Sequence, residues 1–468
     1  MAAIAPGRAR HTLPPNAGPI RRPNRRSWWP DLIGSTAAAS IIIVIALWLR
    51  GGNLQSLSGN GALTSLGRLS GLIGADLLLI QIMLIARVPW IERQYGQDRL
   101  ARWHRVVGFT SINLVLVHVV TITLGYAATD RSSLVTEAVQ LVLTYPGMLL
   151  ATAGTAALVM VAITSVRIAR ARLRYESWHL LHLYAYVGVG LSLPHELWTG
   201  ADFVATPLAR LYWWGAYIAA AACIVVYRIG LPLWRTVRHD LRVAAVVPES
   251  PGVTSVYLSG RHLHRMRVES GQFFNWRFLG APGWTRAHPY SLSAAPRPDL
   301  LRITVKEFGD GSRDVTTLRP GGRVIAEGPY GRLTGAVRRR RHLTFFACGI
   351  GITPIRALLE SEFYRPGEAV LIYRATEPAG LTFYRELEQL GRDRGVGIHY
   401  LVGPRGDRGS WLPSGHRDDV ATLRWLAPDI ARSDVYLCGP DGWMDAVVHT
   451  LDRIGVPDRH IHLEQFSW

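Results

Sequence analysis

The stretch that decides the fold of this chain is HRVVGFTSINLVLVH, residues 104–118, an apolar run with a histidine at each end. At about 1.5 Å per residue, its two histidines lie about 21 Å apart along a helix and on nearly the same face. A second stretch, HLYAYVGVGLSLPH at 182–195, repeats the pattern with histidines thirteen positions apart. The sequence therefore predicts two apolar helices that each carry a histidine near both ends.

Both stretches belong to a series of six apolar runs, each long enough to cross a membrane. An α-helix needs about 20 apolar residues to cross a hydrocarbon core about 30 Å thick. Arginines cluster after the second, fourth and sixth runs, whereas the other loops are nearly neutral or acidic. The excess of positive charge on cytoplasmic loops predicts two cytoplasmic termini and the same direction for runs three and five. The six runs are 32–49, 67–86, 106–126, 147–166, 177–198 and 208–227.

Composition excludes several other classes of protein. Only 18% of residues are charged, against about 25% in soluble domains, so we expect a multi-pass protein of the plasma or inner membrane. Three widely separated cysteines are too few for a disulfide scaffold, a zinc site or an iron–sulfur site. The net charge of +18 is largely a topology signal, so we expect no nucleic-acid partner. Residues 1–30 are predicted to be a disordered basic tail, with a nucleic-acid-binding arm as the alternative.

The four histidines of the two stretches pair by depth in the membrane. Since runs three and five cross in the same direction, His104 and His182 lie near the inner face, and His118 and His195 near the outer face. Imidazole is an ordinary axial ligand of haem iron, and ionisable groups are costly inside a membrane. Two bis-histidine b-type haems stacked across the bilayer are therefore predicted. The alternative is that these histidines only form hydrogen bonds between helices.

Thirteen residues do not return to one face of a straight helix, so the second stretch requires a distortion. Pro194, Gly188 and Gly190 are candidates to supply it. Asp76, in the middle of run two, either supports a haem, passes protons or forms an interhelix hydrogen bond. Arg50 and Arg87 either pair with haem propionates or simply flank the membrane.

After about residue 238 the pattern changes to short β-like runs, at 241–247, 253–259 and 301–308, which are typical of a small antiparallel barrel. Inside it lies HPYSLS, 288–293, where a tyrosine beside a serine can stack on a flavin and hydrogen-bond its ring nitrogen. The GDGS segment, 309–312, allows close approach of a pyrophosphate. The EGPYG segment, 327–331, is predicted to close the barrel.

A second soluble pattern begins after four arginines, 338–341, which mark a domain boundary. The alternative, compatible with the first, is a solvated basic run at the membrane surface. The LTFFA segment, 343–347, is a predicted buried strand that leads into CGIGITP, 348–354, and then a helix. Strand, glycine turn and helix N-terminus form a dinucleotide phosphate site. The next strand, 369–374, ends on Arg374, where an arginine favours the 2′-phosphate of NADPH. Glu377 nearby keeps NADH possible.

Two further residues are candidates at the hydride-transfer site. DVYLCGPDGW, 434–443, repeats the strand and glycine turn, and places Cys438 at a strand end facing the nicotinamide. The alternative for Cys438 is an inert buried thiol. The chain ends on Trp468, which is predicted either to cover the flavin ring or merely to pack the last strand.

The order of these features, from about 31 to 468, resembles the NADPH oxidase/ferric reductase family in a minimal bacterial form. The resemblance implies haem ligation by His104 with His182 and by His118 with His195, and a terminal aromatic, Trp468, over the flavin. It also implies that Cys438 lies near the hydride site. The cofactor-binding residues that the resemblance implies are His288, Tyr290, Ser291 and Ser312 for FAD, and Gly349, Gly351, Thr353 and Pro354 for the nicotinamide nucleotide. The motifs described above add Pro289 and Gly309 for FAD, and Arg374, Gly439 and Pro440 for the nucleotide.

The predicted fold class is a bundle of six transmembrane helices followed by a cytosolic antiparallel β-barrel FAD domain and a Rossmann-like α/β NAD(P) domain. The expected boundaries are 31–232, 238–337 and 341–468. The expected function is electron transfer from NAD(P)H through FAD and two haems to oxygen or a ferric chelate across the lipid bilayer. The alternative is a non-catalytic haem-binding membrane sensor or partner subunit. The oligomeric state cannot be read from the sequence.

Overall fold

The structure is a computed structural model that describes residues 29–57, 61–173, 175–406, 409–415 and 418–465. The predicted tail, 1–30, lies almost entirely outside the described residues. The chain divides into a helical unit that ends at Leu231 and a soluble unit that begins at Pro232.

The helical unit consists of helices joined by short loops. Its helices are α1 (Trp29–Arg50), α2 (Ala62–Ile85), α3 (Pro89–Tyr95), α4 (Gln97–Asp130), α5 (Leu134–Thr144), α6 (Met148–Ser165), α7 (Arg167–Arg172), α8 (Tyr175–Trp198), α9 (Ala201–Val204) and α10 (Pro207–Cys223). A π-helical turn, Ile224–Gly230, joins α10 to α11 (Leu231–His239). The short helix α5 lies where only a loop was expected, and its eleven residues are too few to cross a membrane.

Among the described residues, five helices are long and apolar enough to cross a membrane: Leu32–Arg50, Ala62–Ile85, Arg99–Asp130, Met148–Ser165 and Pro207–His239. Helix α8 has 24 residues but is less apolar, because it carries three histidines and two glutamates. The apolar helical region is therefore confirmed, whereas the count of six spans stays a prediction.

Glycines allow the helices of this unit to pack closely in pairs, α2 on α4 and α6 on α8. A β-carbon at Gly188 of α8 would lie 2.9 Å from the carbonyl oxygen of Gly154 on α6, and the reverse distance would be 2.6 Å. Small residues let helix backbones approach in this way inside membranes. Gly188 therefore serves contact with α6, and Gly190, another candidate for the distortion, has no neighbour within 4 Å of the position of a β-carbon. Pro194 lies inside α8.

The first part of the soluble unit is a barrel of two three-stranded antiparallel sheets, ordered β1-β2-β5 and β4-β3-β6. Its strands are β1 (Arg242–Ser250), β2 (Val253–Ser259), β3 (Phe273–Phe278), β4 (His288–Ser291), β5 (Leu300–Lys306) and β6 (Val324–Tyr330), and a short helix, α12 (Asp310–Arg313), follows β5. Phe274, Trp276, Leu258 and Ile303 fill the interior and are fully buried. The predicted barrel is confirmed.

The second part is a parallel five-stranded sheet, ordered β11-β10-β7-β8-β9. Its strands are β7 (His342–Cys348), β8 (Ala369–Ala375), β9 (Gly397–Val402), β10 (Ser433–Gly439) and β11 (Ile461–Gln465), and its helices are α13 (Ile352–Ser361), α14 (Tyr384–Arg394), α15 (Asp419–Leu426) and α16 (Asp441–Ile454). Apolar clusters cover both faces, as expected for a doubly wound α/β sheet. The predicted Rossmann-like domain is confirmed.

The arginine run 338–341 is tied into this domain. The backbone N–H groups of Arg339 and Arg340 each donate to Oδ2 of Asp434 at 2.5 Å. The Arg338 side chain is buried and donates to the carbonyl oxygen of Phe363. The alternative of a solvated basic run is therefore wrong for Arg338, because the packing of the sheet edge buries its side chain.

Candidate functional site

The structure brings the four histidines of α4 and α8 together in two pairs. The rings of His104 and His182 are 6.0 Å apart between centroids, and those of His118 and His195 are 6.4 Å apart. Two imidazole nitrogens that each lie about 2 Å from one metal ion place the ring centres about 6 Å apart. The spacing of both pairs therefore fits one metal ion between each pair of rings.

Hydrogen bonds fix which ring nitrogen is available in three of the four histidines. Nδ1 of His104 lies 3.1 Å from the carbonyl oxygen of Gln81, and Nδ1 of His118 lies 2.8 Å from that of Gly67. A carbonyl oxygen only accepts, so Nδ1 carries the proton in both rings. Nδ1 of His195 lies 2.6 Å from Oγ1 of Thr199, whose hydroxyl already donates to the carbonyl oxygen of His195.

These bonds leave Nε2 as the unprotonated nitrogen, which is the arrangement found in metal-ligating histidines whose other N–H bonds to a carbonyl or hydroxyl. His182 has the same kind of neighbour, since its Nδ1 lies 3.2 Å from Oγ of Ser165. The donor set therefore fits an axially ligated haem at each pair.

Two glycines make room for the pair formed by His118 and His195. A β-carbon at Gly71 of α2 would lie 2.5 Å from Nδ1 of His118. At Gly147, just before α6, a β-carbon would lie 2.7 Å from the backbone nitrogen of His195. The backbones behind both rings therefore approach as closely as glycine permits.

Asp76 connects its own helix, α2, to α1 and α10, and its hydrogen bonds do not go to the four histidines. Its Oδ1 accepts from Ser40 of α1 at 2.7 Å and from Tyr212 of α10 at 2.6 Å. These contacts favour the interhelix hydrogen bond among the three alternatives. Arg50 is the last residue of α1, and Arg87 follows α2 with a φ of 60°.

The predicted flavin contacts lie on β4. His288 and Tyr290 point to the same side of the strand, with parallel rings 5.9 Å apart, and Pro289 pairs with Asn275 of β3. The hydroxyl of Ser291 is buried, and it has no hydrogen-bond partner among the described residues. An unsatisfied buried hydroxyl is costly, and a flavin ring nitrogen would satisfy it. These residues therefore fit FAD.

Ser312 holds the predicted pyrophosphate segment, 309–312, in a turn through hydrogen bonds to its backbone. The Oγ atom of Ser312 accepts from the backbone nitrogens of Phe308 and Gly309, at 2.8 and 3.1 Å. It also donates to the carbonyl oxygen of Gly309 at 2.8 Å. The segment thus forms a compact turn at the start of α12.

Glycines bring together the two strand ends predicted to bind the nucleotide. A β-carbon at Gly351 would overlap the carbonyl oxygen of Cys438, and one at Gly439 would lie 2.9 Å from Cβ of Cys348. Gly349 has a φ of 56°, in the left-handed region that favours glycine. The carboxyl ends of β7 and β10 therefore meet at one edge of the sheet, where α/β folds bind ligands.

The residues after each glycine start a helix. Thr353, in the first turn of α13, donates to the carbonyl oxygen of Ile350 at 3.0 Å, and Pro354 is buried beside it. Pro440 is the N-cap residue of α16. Both helices thus begin at the edge where β7 and β10 meet, with N–H groups available to a phosphate.

Cys438 is fully buried, and burial raises the pKa of its thiol well above the usual range, so the group is protonated at neutral pH. Its strand neighbour, Glu464 on β11, was missed by the sequence analysis. A β-carbon on Gly331 would lie 3.3 Å from a carboxylate oxygen of Glu464, which places that carboxylate where the barrel and the sheet meet. An acidic residue at the end of a strand is only weak evidence, in a sequence alone, for a functional role of Glu464.

Arg374 lies at the predicted strand end, but its side chain is buried. Its guanidinium donates to the carbonyl oxygens of Ala375, Leu401 and Pro404, the last at 2.9 Å. This arrangement ties β8 to the loop after β9, and recognition of the 2′-phosphate stays a prediction. Trp468 lies outside the described residues.

Comparisons with known proteins match both units. The model of the "Ferric reductase like transmembrane component" family matches residues 70–193, from α2 to α8. Ferredoxin–NADP reductase B of Sorangium cellulosum is 32% identical over 246 residues, which cover 49% of this chain and 97% of that protein. The ferredoxin reductase component of the 3-ketosteroid-9-alpha-monooxygenase of Mycolicibacterium smegmatis is 31% identical over 49% of this chain.

This chain spans only 65% of the length of that monooxygenase component. A solved structure, the FAD/NAD-binding domain of nitric oxide dioxygenase from Vibrio cholerae, is 24% identical with a TM-score of 0.41. That match covers 48% of this chain and 98% of the other.

The fold and the matches define a class of protein. It is an oxidoreductase in which a flavin-dependent reductase module follows a ferric-reductase-like membrane component. Through its soluble unit, the chain belongs to the ferredoxin–NADP reductase family. The resemblance identified from the sequence is thereby confirmed as an architecture.

Proposed function

We propose that this chain transfers electrons from NAD(P)H, by way of FAD and two b-type haems, to an acceptor on the far side of the membrane. Membership of the reductase family supports the flow of electrons from NAD(P)H through flavin. The match to a ferric-reductase-like component supports passage through the membrane. The proposed boundaries are those expected from the sequence: 31–232 for the membrane domain, 238–337 for the FAD domain and 341–468 for the NAD(P) domain.

The observation that carries the haem part of the proposal is the pairing of the histidines. Two pairs at 6.0 and 6.4 Å, with Nδ1 of each ring bonded to a carbonyl or hydroxyl oxygen, present Nε2 atoms in the geometry of axial ligands. Three of these bonds also join helices, since His104 and His118 of α4 bond to α2 and His182 of α8 bonds to α6. Interhelix bonding alone does not require the rings of α4 and α8 to approach each other, and it is this approach that supports haem ligation.

When bound, FAD would convert the two-electron hydride of NAD(P)H into single electrons that haem iron can carry. The residues of this protein would hold and orient the two cofactors. Ser291 and Tyr290 offer a hydroxyl and a ring to the flavin, and the turn at 349–351 offers backbone N–H groups to the nucleotide phosphates.

The test is to add NADPH without oxygen to the purified full-length protein reconstituted with FAD and haem. We expect the absorption of reduced b-type haem to appear. Haem that binds but stays oxidised, while dithionite reduces it, would instead favour the sensor or partner subunit. Turnover with oxygen and with ferric citrate, with and without superoxide dismutase, then identifies the acceptor.

The proposed location is the plasma or inner membrane, with both termini cytoplasmic. The arginine-rich loops after the second, fourth and sixth apolar runs support this orientation. Cysteine labelling from each side of spheroplasts, with single cysteines placed in the loops, tests the orientation directly.

A further inference from the structure

A partly buried ionic network joins the barrel to the nucleotide-binding sheet. Arg302 of β5 donates to both carboxylate oxygens of Glu386 on α14, at 2.8 and 3.0 Å. The same carboxylate lies 2.8 Å from Nε of Arg356 on α13. The side chains of Arg302 and Arg356 are only 5% and 7% exposed, whereas that of Glu386 is 33% exposed. One carboxylate therefore holds an arginine from each of the two parts of the soluble unit.

The barrel end of the network reaches the segment that follows the flavin contacts. Arg302 donates to Oγ of Ser293 at 3.1 Å and to its carbonyl oxygen at 2.8 Å. The backbone N–H of Ala295 donates to Glu360 of α13 at 2.7 Å. Ser293 follows Ser291, the residue with the unsatisfied buried hydroxyl, by two positions. The network thus fixes the backbone immediately beyond the flavin site.

The other end of the network reaches the nucleotide turn. Arg356 and Glu360 form an ion pair on α13, and the N-terminus of this helix continues directly from the glycine turn Gly349–Gly351. A single short helix therefore carries the predicted phosphate turn at its start and contacts the flavin-side segment one to two turns later. Movement of one site relative to the other would have to break these bonds.

Stability alone does not account for such a network. Removing charged groups from water costs about as much as their mutual attraction returns, so buried ion pairs are weak evidence for stability. Burial raises the pKa of Glu386, but the hydrogen bond from Arg302 and the charge of Arg356 together lower it by more. The pKa of this carboxyl therefore lies below its usual value. The carboxylate is ionised at neutral pH, accepts two hydrogen bonds from Arg302 and forms an ion pair with Arg356.

We propose that Glu386 is a positioning residue that sets the distance between the nicotinamide and the flavin. The inference rests on the proposed function. In the reaction, a hydride leaves C4 of NAD(P)H with both bonding electrons and bonds to N5 of the flavin, so the nucleotide is oxidised and the flavin reduced. Such transfers need reacting atoms about 3–3.5 Å apart, and a displacement of about 1 Å costs up to about 100-fold in rate.

The test compares Glu386→Gln with Glu388→Gln in the full-length protein. Glu388 lies on the same helix but bonds to Tyr400, away from the network. In anaerobic stopped-flow experiments with NADPH, we expect Glu386→Gln to lower the limiting rate of flavin reduction about 10-fold to 100-fold, with NADPH affinity changed less than about twofold. Glu388→Gln should match the wild type, and Glu386→Asp, which keeps the charge, should recover part of the rate.

A second measurement does not depend on bound cofactor. Hydrogen exchange at the Ala295 amide should accelerate at least about 10-fold in Glu386→Gln, because loss of the carboxylate loosens the contact between the barrel and α13. Exchange in the sheet strands should stay unchanged.

Three results would overturn the proposal. One is a normal rate of flavin reduction in Glu386→Gln, and another is unchanged exchange at Ala295. The third is a loss of rate that merely follows loss of FAD and a lower melting temperature, with no recovery in Glu386→Asp. If the wild-type flavin is not reduced by NADPH, the proposed function fails first, and that result is distinct from all three.

Discussion

The helical unit and the soluble unit use glycine in opposite places to build their candidate sites. In the helical unit the glycines lie behind the site, where Gly71 and Gly147 let neighbouring backbones approach His118 and His195. The rings themselves stay about 6 Å apart, with space for a group between them. In the soluble unit the glycines stand in the site, where Gly351 and Gly439 bring two strand ends into contact. A ligand held between two rings needs a space that the surrounding backbone keeps open. A dinucleotide instead lies along a tight backbone turn.

The largest expected effect tests the proposed haem site between the rings of His118 and His195. His118→Ala and His195→Ala should each abolish the outer haem, because a single imidazole cannot hold a bis-histidine centre. The pyridine haemochrome assay should then find one haem per chain instead of two, with flavin content unchanged. Two haems per chain in either variant would exclude this pair as the ligands.

The next effect tests the tight turn. Gly351→Ala would push a β-carbon into the carbonyl oxygen of Cys438, and backbone cannot move away as a side chain can. We expect a loss of about 3 kcal/mol in the free energy of unfolding of the soluble unit, measured by denaturant titration, together with weaker nucleotide binding. Gly397→Ala is the control, because its β-carbon would meet Val370 at an ordinary 3.7 Å. Equal stability of the two variants would show that the close approach does not matter.

The support behind the outer pair is tested by Gly71→Ala. A β-carbon 2.5 Å from Nδ1 of His118 displaces the ring and breaks its hydrogen bond to Gly67. We expect a cost of about 2 kcal/mol and a partly lost or spectrally shifted outer haem. Gly190→Ala, with no neighbour within 4 Å, should leave the haem spectrum unchanged. A shifted spectrum in both variants would point to general helix distortion.

A fourth prediction concerns the opposite end of the nucleotide sheet. Burial would raise the pKa of Asp434, but hydrogen bonds from His462, from the backbone of Arg339 and Arg340 and from His460 lower it to about 2. A depressed carboxyl pKa stabilises the fold above the ordinary value of 3.8, and this stability is lost as the pH falls towards 2. We expect a loss of about 2 kcal/mol over that range.

Thermal melting of the soluble unit between pH 5 and pH 2 measures this loss, and Asp434→Asn should flatten the dependence. A wild-type profile as flat as that of Asp434→Asn would contradict the prediction. Because Asp434 lies away from the glycine turns, the same variant separates support of the sheet from binding of the nucleotide.

The smallest expected effect is that of Trp468. If its indole covers the flavin, its removal should tighten NAD(P)H binding, reduce discrimination between NADH and NADPH and raise flavin fluorescence. The energy involved is about 0.5–1.5 kcal/mol, the value of an aromatic pair beyond its buried area. Unchanged fluorescence and KM, with only a lower melting temperature, would leave packing as its role.

Local patterns predicted a large part of this molecule. Apolar runs and loop charges indicated the helical unit, and the depth of the histidines indicated their pairing, although thirteen residues do not return to one face of a straight helix. In the structure α8 packs closely on α6, where Gly188 approaches Gly154. That contact joins residues far apart in the sequence, and a helical period cannot reveal it.

The remaining features depend on contacts between distant segments. The strand pattern placed Arg374 at the correct strand end, but carbonyl oxygens of Leu401 and Pro404 determine where its guanidinium points. Glu464 reaches the site because β11 pairs with β10. The sequences of the two strands do not reveal that they are neighbours. Helix α5 was missed because its apolar run was too short for a membrane span and lay within an expected loop.

The distance between the two histidine pairs also has an electrical consequence. Fourteen residues of α4 separate His104 from His118, a rise of about 21 Å in a hydrocarbon core about 30 Å thick. An electron that passes from an inner to an outer metal centre would therefore cross about two thirds of the membrane field. That crossing corresponds to about 1.6 kcal/mol for each 100 mV of membrane potential. A potential that is negative inside would drive the electron outward, each turnover would discharge that potential, and sustained current would require an equal outward flow of cations.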